Sequence, residues 1–122
     1  MATILNLKTF CDKKGKLTVI EKVLPFEIKR IFYIYGVDDT ERGKHRHHKT
    51  IHAAICLTGK CTIYNNDGMK KEIFELDSPD KCLLLETRDW HKMYNFSRDA
   101  ILMVLASESF DPNDYIFEEY PS

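Results

Sequence analysis

At 122 residues the chain is long enough for one domain with a buried core and too short for two. Apolar residues make up 43% and charged residues 30%, the balance of an ordinary soluble protein, and a formal net charge of −1 offers no basic field to a nucleic-acid backbone. No run of about 18 apolar residues is present to span a membrane. The N-terminus lacks a basic-then-apolar export pattern, so a cytoplasmic protein without membrane or nucleic-acid partners is expected.

Nearly every segment is short, β-branched or aromatic, and stopped by a turn signal. Residues 3–8 alternate weakly and Lys16–Val23 alternates well, with Lys13-Lys14-Gly15 as the turn between them. Pro25 breaks the next connection, and Ile28–Tyr35 is the strongest strand pattern of the first half. The polar run Gly36–Gly43 reads as a loop, followed by strands over His45–Thr50 and Ile51–Leu57. After Thr58-Gly59-Lys60 comes a strand over Cys61–Asn65, and Asn66-Asp67-Gly68 is a hairpin signal that tolerates positive φ. Lys70–Leu76 alternates, Asp77-Ser78-Pro79-Asp80 is a turn, and Cys82–Glu86, Trp90–Phe96 and Ala100–Ala106 complete the strands. In the tail, Asp111 as cap and Pro112 at the first position predict one short helical turn. About ten short strands without intervening helices argue for an antiparallel sandwich or barrel spanning 1–122 as one domain. The four cysteines have no Cys-x-x-Cys spacing, and Cys56 and Cys82 lie in apolar runs, which favours buried reduced thiols.

Three of the five histidines fall within four residues, at His45, His47 and His48. On a strand, side chains two apart share a face, so His45 and His47 converge; on a helix they splay by roughly 200°. Arg46 and His48 have the opposite parity and are expected to face outward. His52 breaks the parity too, and joins the pair only where a bulge or turn near Lys49-Thr50 re-aims it.

Gly36, His45-x-His47, His52 and Gly59 resemble the first sequence motif of the cupins, with a longer loop before the pair and His52 at the usual acidic position. Asp80, Glu86, Arg88, His91 and Asn95 resemble the second, with its glycines and proline replaced. A narrower resemblance covers nearly the whole chain. It runs through Phe32-Tyr33-x-Tyr35-Gly36-Val37, Glu41-Arg42-Gly43-x-His45-x-His47 and Leu76-Asp77-Ser78-Pro79. It continues through Trp90-x-x-Met93-Tyr94-x-Phe96-Ser97, Asp99-Ala100-x-Leu102-x-Val104-Leu105-Ala106-Ser107 and Asp114-Tyr115-Ile116. These stretches are similar to the nucleotide-sugar 3,4-ketoisomerases, with Arg46 and His52 as departures.

The resemblance implies an all-β, cupin-type antiparallel barrel or jelly roll, and a homodimer that exchanges N-terminal strands. It implies an isomerase that moves the carbonyl of dTDP-4-keto-6-deoxyglucose from C4 to C3, on the way to amino-deoxysugars of surface polysaccharides. Moving a carbonyl by one carbon requires a base at C3, donors for the oxyanion and a proton carrier. Histidine, titrating near 6.5, suits both proton roles. No metal or redox cofactor is needed, since the substrate already holds the electron sink. The family motif marks both His45 and His47; His47 is taken as the leading base and His45 as the acid or proton-shuttling partner, with the reverse assignment as the alternative. Tyr35, Arg42, Trp90, His91 and Arg88 are candidate substrate contacts, arginine suiting phosphate through its two-pronged fork.

Competing readings stand beside these. His45, His47, His52 and His91 offer four nitrogens to a metal, as in a metal-dependent oxygenase or isomerase. A non-catalytic sugar-binding cupin is the third reading. Core packing for Tyr35 and Trp90, and an ion pair with Glu41 for Arg42, are the plainer alternatives.

Overall fold

Short runs of β-branched and aromatic residues form twelve strands and no α-helix in the computed structural model, which describes all 122 residues. They are β1 (Thr3–Asn6), β2 (Lys8–Asp12), β3 (Gly15–Val19), β4 (Arg30–Tyr35), β5 (Arg42–His47) and β6 (His52–Thr58). Then follow β7 (Cys61–Asn66), β8 (Lys71–Leu76), β9 (Lys81–Leu85), β10 (Trp90–Tyr94), β11 (Ile101–Ala106) and β12 (Tyr115–Ile116). One antiparallel sheet runs β1-β9-β6-β11-β4, a second runs β12-β5-β10-β7-β8, and β2-β3 is a separate hairpin.

The expected strands are present with shifted ends. The loop expected over Gly36–Gly43 gives way to β5 at Arg42, and that strand stops at His47 rather than Thr50 because the chain turns there toward the other sheet. The alternation at 3–8 is split into β1 and part of β2, and the strand expected to Val23 ends at Val19. β12 went unforeseen: two residues carry no detectable period. The short helical turn is present as a 3₁₀ turn over Pro112–Asp114, with the Asp111 carboxylate accepting the Asn113 N–H at 3.0 Å.

Core residues of the two sheets meet face to face: Ala54, Cys56, Leu83, Leu85, Leu102 and Val104 from the first pack with Cys61, Ile63, Leu76 and Met93 from the second. β6 and β11 sit in the middle of the first sheet and are apolar on both faces. Their other side, with Ala53, Ile55, Leu105 and Cys82, is covered by Leu5, Ile20, Leu24 and Phe26. That cover ends before β4. Ile31, Tyr33 and Tyr35 on β4, and Leu57 on β6, are exposed on the same outer face beside Ile101 and Met103. The cavity between the two sheets is lined from β4, β5, β6, β10 and β12.

Candidate active site

Two consecutive residues of β5, Gly43 at φ +83° and Lys44 at φ +63°, lie in the left-handed region, and the pairing with β10 slips between His91 and Lys92. This is a bulge. A Cβ at position 43 would stand 3.1 Å from the His91 carbonyl oxygen, so the glycine is required both for its φ and for the close approach. Beyond the bulge, His45 pairs directly with His91, and His45 and His47 resume strand parity on the inner face. The chain then leaves β5, turns over residues 48–51 and enters the opposite sheet at His52. The turn brings the His52 ring to 4.6 Å from that of His47.

Four imidazoles thus share one cavity of about 300 Å³ with Arg30, Arg42 and Tyr115. Ring centroids of His45 lie 4.9 Å from His47 and 5.2 Å from His91, and Tyr115 stands 4.7 Å from both His45 and His47. Three of the rings are fixed at Nδ1. His45 donates to the Gly43 carbonyl at 3.0 Å and His91 to the Asp89 carbonyl at 3.0 Å. His47 donates to the Asp114 carboxylate at 3.0 Å. A carbonyl only accepts, so the neutral forms of His45 and His91 keep Nε2 as the free lone pair. His47 Nε2 is buried and has no protein partner.

Asp114 is held by more than His47. Its carboxylate accepts the Lys49 N–H at 2.8 Å and the buried Thr50 hydroxyl. Burial alone would raise its pKa, but the hydrogen bonds from Thr50, Lys49 and His47 hold it below the ordinary carboxylate value. The histidines move the other way. Burial, helped by the neighbouring His91, pushes His45 down to about 4, and burial pushes His91 to about 4. His52 falls to about 2 through burial and the three other rings. His47 is also lowered by burial and by His45, while Asp114 pulls it back up. All four rings are therefore neutral at pH 7, and His47 alone has a carboxylate partner to stabilise a proton that it gains. No three His, Cys, Asp or Glu side chains converge in the geometry of ion ligands.

Of the residues singled out by sequence, His45, His47, Arg42 and His91 line the cavity, and so does His52. Arg42 does not pair with Glu41, whose carboxylate is taken by Lys44 at 3.2 Å and Lys92 at 3.1 Å. Tyr35 lies elsewhere. It is 67% exposed and stacks on Tyr33 at 6.0 Å on the outer face, because it alternates with the inward Phe32 and Ile34. Trp90 has the opposite parity to His91; its indole N–H donates to the Phe117 carbonyl at 3.0 Å and its ring meets Tyr64 edge-on. Arg88 is exposed in the turn before β10, where its carbonyl accepts the Tyr120 hydroxyl at 2.7 Å, and it is not part of the cavity wall.

Sequence reasoning missed Arg30, Asp114 and Tyr115 as site residues. Asp114 and Tyr115 sit at the end of the 3₁₀ turn and in β12, which pairs Tyr115 with His47. The one sequence signal for them was their place in the Asp114-Tyr115-Ile116 stretch of the family resemblance.

Residues 1–121 match the family model described as FdtA: WxcM-like, C-terminal. A curated relative from Aneurinibacillus thermoaerophilus, TDP-4-oxo-6-deoxy-alpha-D-glucose-3,4-oxoisomerase, is 40% identical over 116 residues, covering 93% of this chain and 84% of its own. The crystal structure of WlaRA, a TDP-fucose-3,4-ketoisomerase from Campylobacter jejuni, superposes with a TM-score of 0.89 at 42% identity, over 96% of this chain and 89% of that one. A His-to-Asn variant of the 3,4-ketoisomerase QdtA from Thermoanaerobacterium thermosaccharolyticum, solved in complex with TDP-4-keto-6-deoxyglucose, gives a TM-score of 0.91 at 38% identity. That match covers 96% of this chain and 87% of the other.

Proposed function

The chain belongs to the FdtA family of WxcM-like C-terminal domains, and from that premise we propose that it is a cupin-fold enzyme that moves the keto group of dTDP-4-keto-6-deoxyglucose from C4 to C3. The observation that carries the chemistry is the buried His47–Asp114 pair. With Nδ1–H committed to the carboxylate, Nε2 is the nitrogen that takes a proton from C3, and Asp114 stabilises the imidazolium that results. The electrons pass to the C4 oxygen as an enediolate. A proton then returns to the C4 carbon, and the proton that the C3 hydroxyl loses as the new carbonyl forms passes to the C4 oxygen, which becomes the product hydroxyl. His45, edge-on to His47, is the acid or relay for that return once its free Nε2 has taken up a proton. His91 and His52 complete the wall of neutral rings around the sugar. Arg42, free of ion pairs at the end of the cavity away from His47, suits the diphosphate.

Washout of label tests this reading. Substrate deuterated at C3 is expected to lose the label to water during turnover, with a 3-keto product in the NMR spectrum. Complete transfer of the label to C4 with none reaching water would count against proton exchange through His47 and His45, and binding of the sugar nucleotide without any product would favour the non-catalytic cupin.

Homodimerisation is part of the same proposal. Ile31, Tyr33, Tyr35 and Leu57 form an apolar outer face, and Phe10 and Leu17 are exposed on the β2-β3 hairpin. A contiguous apolar face of this kind calls for a partner, and exchange of the N-terminal strands between two copies would cover both areas. Tyr35 then acts at the interface rather than on the sugar. Sedimentation at micromolar concentration is expected to give twice the 14.3 kDa of one chain; a pure monomer would remove the exchanged dimer. The buried Cys56, Cys61 and Cys82 suit a reducing compartment, which supports the cytoplasm as the place of action.

A further inference from the structure

Arg30 is the one cation at the histidine end of the cavity, and nothing above gives it a task. It opens β4 and lies level with His52: Arg30 pairs with Ala106 on β11, and Ala106 pairs with His52 on β6. Its guanidinium carbon sits 4.5 Å from the centre of the Phe32 ring and 5.2 Å from that of Phe110. Phe32 touches His52 edge-on at 6.3 Å, and Phe110 lies 6.1 Å from Tyr115. The two rings thus clamp the guanidinium plane and tie it to both sides of the histidine cluster. Aromatic faces orient an arginine without occupying its N–H donors, which stay at the edge of the plane. Glu108, the carboxylate nearest in sequence on this rim, pairs with Lys29 at 3.5 Å and leaves Arg30 without an ion pair. Arg30 also borders the small recess behind His47, together with His52, Thr50 and Asp114.

A half-buried guanidinium that is held in place and makes no ion pair, though Glu108, Asp111 and Asp114 line the recess beside it, keeps its donors for an anion. Two anions are on offer in this reaction: the diphosphate, fixed in charge throughout, and the C4 oxygen, which gains charge only as C3 is deprotonated. Position separates them. Arg42 lies at the opposite end of the cavity, across from Met93 and beyond the His45–His91 pair. Arg30 lies on the side of His47 and His52, where the reacting carbons must be if His47 is the base. We propose that Arg30 hydrogen-bonds the C4 oxygen of the sugar and stabilises the enediolate. This assignment rests on the isomerase reading above.

Such a donor acts on the transition state and hardly on the nucleotide. Arg30→Met keeps an apolar stem between the two rings and removes the donors; Arg30→Lys keeps the charge. The expected result for Arg30→Met is a fall in kcat of about 10²–10³-fold, the scale seen on removing one oxyanion donor. KM and the affinity for TDP alone are expected to stay within about threefold of wild type, and Arg30→Lys should recover part of kcat. Unchanged TDP affinity and an unchanged circular dichroism spectrum exclude a folding defect as the cause. A kcat within threefold of wild type overturns the assignment. So does a loss confined to TDP affinity and KM, which would make Arg30 a diphosphate ligand. If wild-type enzyme fails to isomerise TDP-4-keto-6-deoxyglucose at all, the isomerase reading falls and takes the role of Arg30 with it.

Discussion

Replacing His47 with Asn is expected to leave a folded protein that binds TDP and turns substrate over about 10²–10⁴-fold more slowly, the usual contribution of a positioned base. Asparagine is close in size and fills the space among His45, His52 and Tyr115, whose rings lie 4.6 to 4.9 Å from that of His47. Its amide can still hydrogen-bond Asp114. It has no nitrogen that takes a proton near neutral pH, so the loss should lie in kcat and in the rate of deuterium washout from C3, with the affinity for TDP preserved. Turnover within tenfold of wild type would move the role of base to another ring, His45 first. The acid limb of the wild-type profile carries the same information. Because His47 is held below 6.5 by burial, kcat/KM should be flat through neutral pH and fall only below about 6.5, as the ring is protonated and ceases to be a base.

Asp114→Asn is the second change with a large expected effect. The carboxylate only accepts, and thereby forces the His47 proton onto Nδ1. An amide in its place can turn its NH₂ toward Nδ1 and favour the opposite tautomer, with the proton on Nε2, where the base needs a lone pair. The equivalent change in a Ser-His-Asp triad costs about 10⁴-fold; a loss of at least about a hundredfold in kcat is expected here by the same logic. The pH profile distinguishes this from simple loosening of the tail. Asp114 raises the His47 pKa against the pull of burial, so its removal should shift the acid limb to lower pH as well as depress the plateau. A limb displaced to higher pH, or a full plateau, would defeat the assignment. Thr50 and the Lys49 N–H still have the amide oxygen to donate to, so a large loss of stability is not expected.

What could be read in the sequence followed the reach of local rules. His45 and His47 share a face because strand period is two, and that needed no knowledge of the fold. Gly43 was legible as a motif position, but its reason, the His91 carbonyl 3.1 Å from where a Cβ would stand, depends on a strand 48 positions later, as 91 − 43 shows. Tyr35 is a candidate sugar contact through the family resemblance, and from Ile31 to Tyr35 every residue is apolar or aromatic. With both faces greasy, alternation separates Tyr33 and Tyr35 from Phe32 and Ile34 without saying which pair is inside. Trp90 carried the same ambiguity against His91. Asp114 in a polar tail looked like any acidic loop residue; only the tertiary contact with Thr50, 64 positions away, makes it a buried anion. Arg30 directly follows Lys29 at the start of an apolar run, and nothing local set it apart from that solvated neighbour.

The contact between His47 and Asp114 joins positions 67 apart, and β12, beside the carboxylate, pairs with β5 over two residue pairs, the rest of the segment being held by single hydrogen bonds. Local opening should therefore begin at this strand and leave most of the barrel standing. A chain caught in that half-open condition has an imidazole with an unfixed tautomer and a carboxylate adrift in water. Such a chain is expected to leave a bound ketose unchanged. On the proposed mechanism, competence to break a carbon–hydrogen bond depends on the docking of β12.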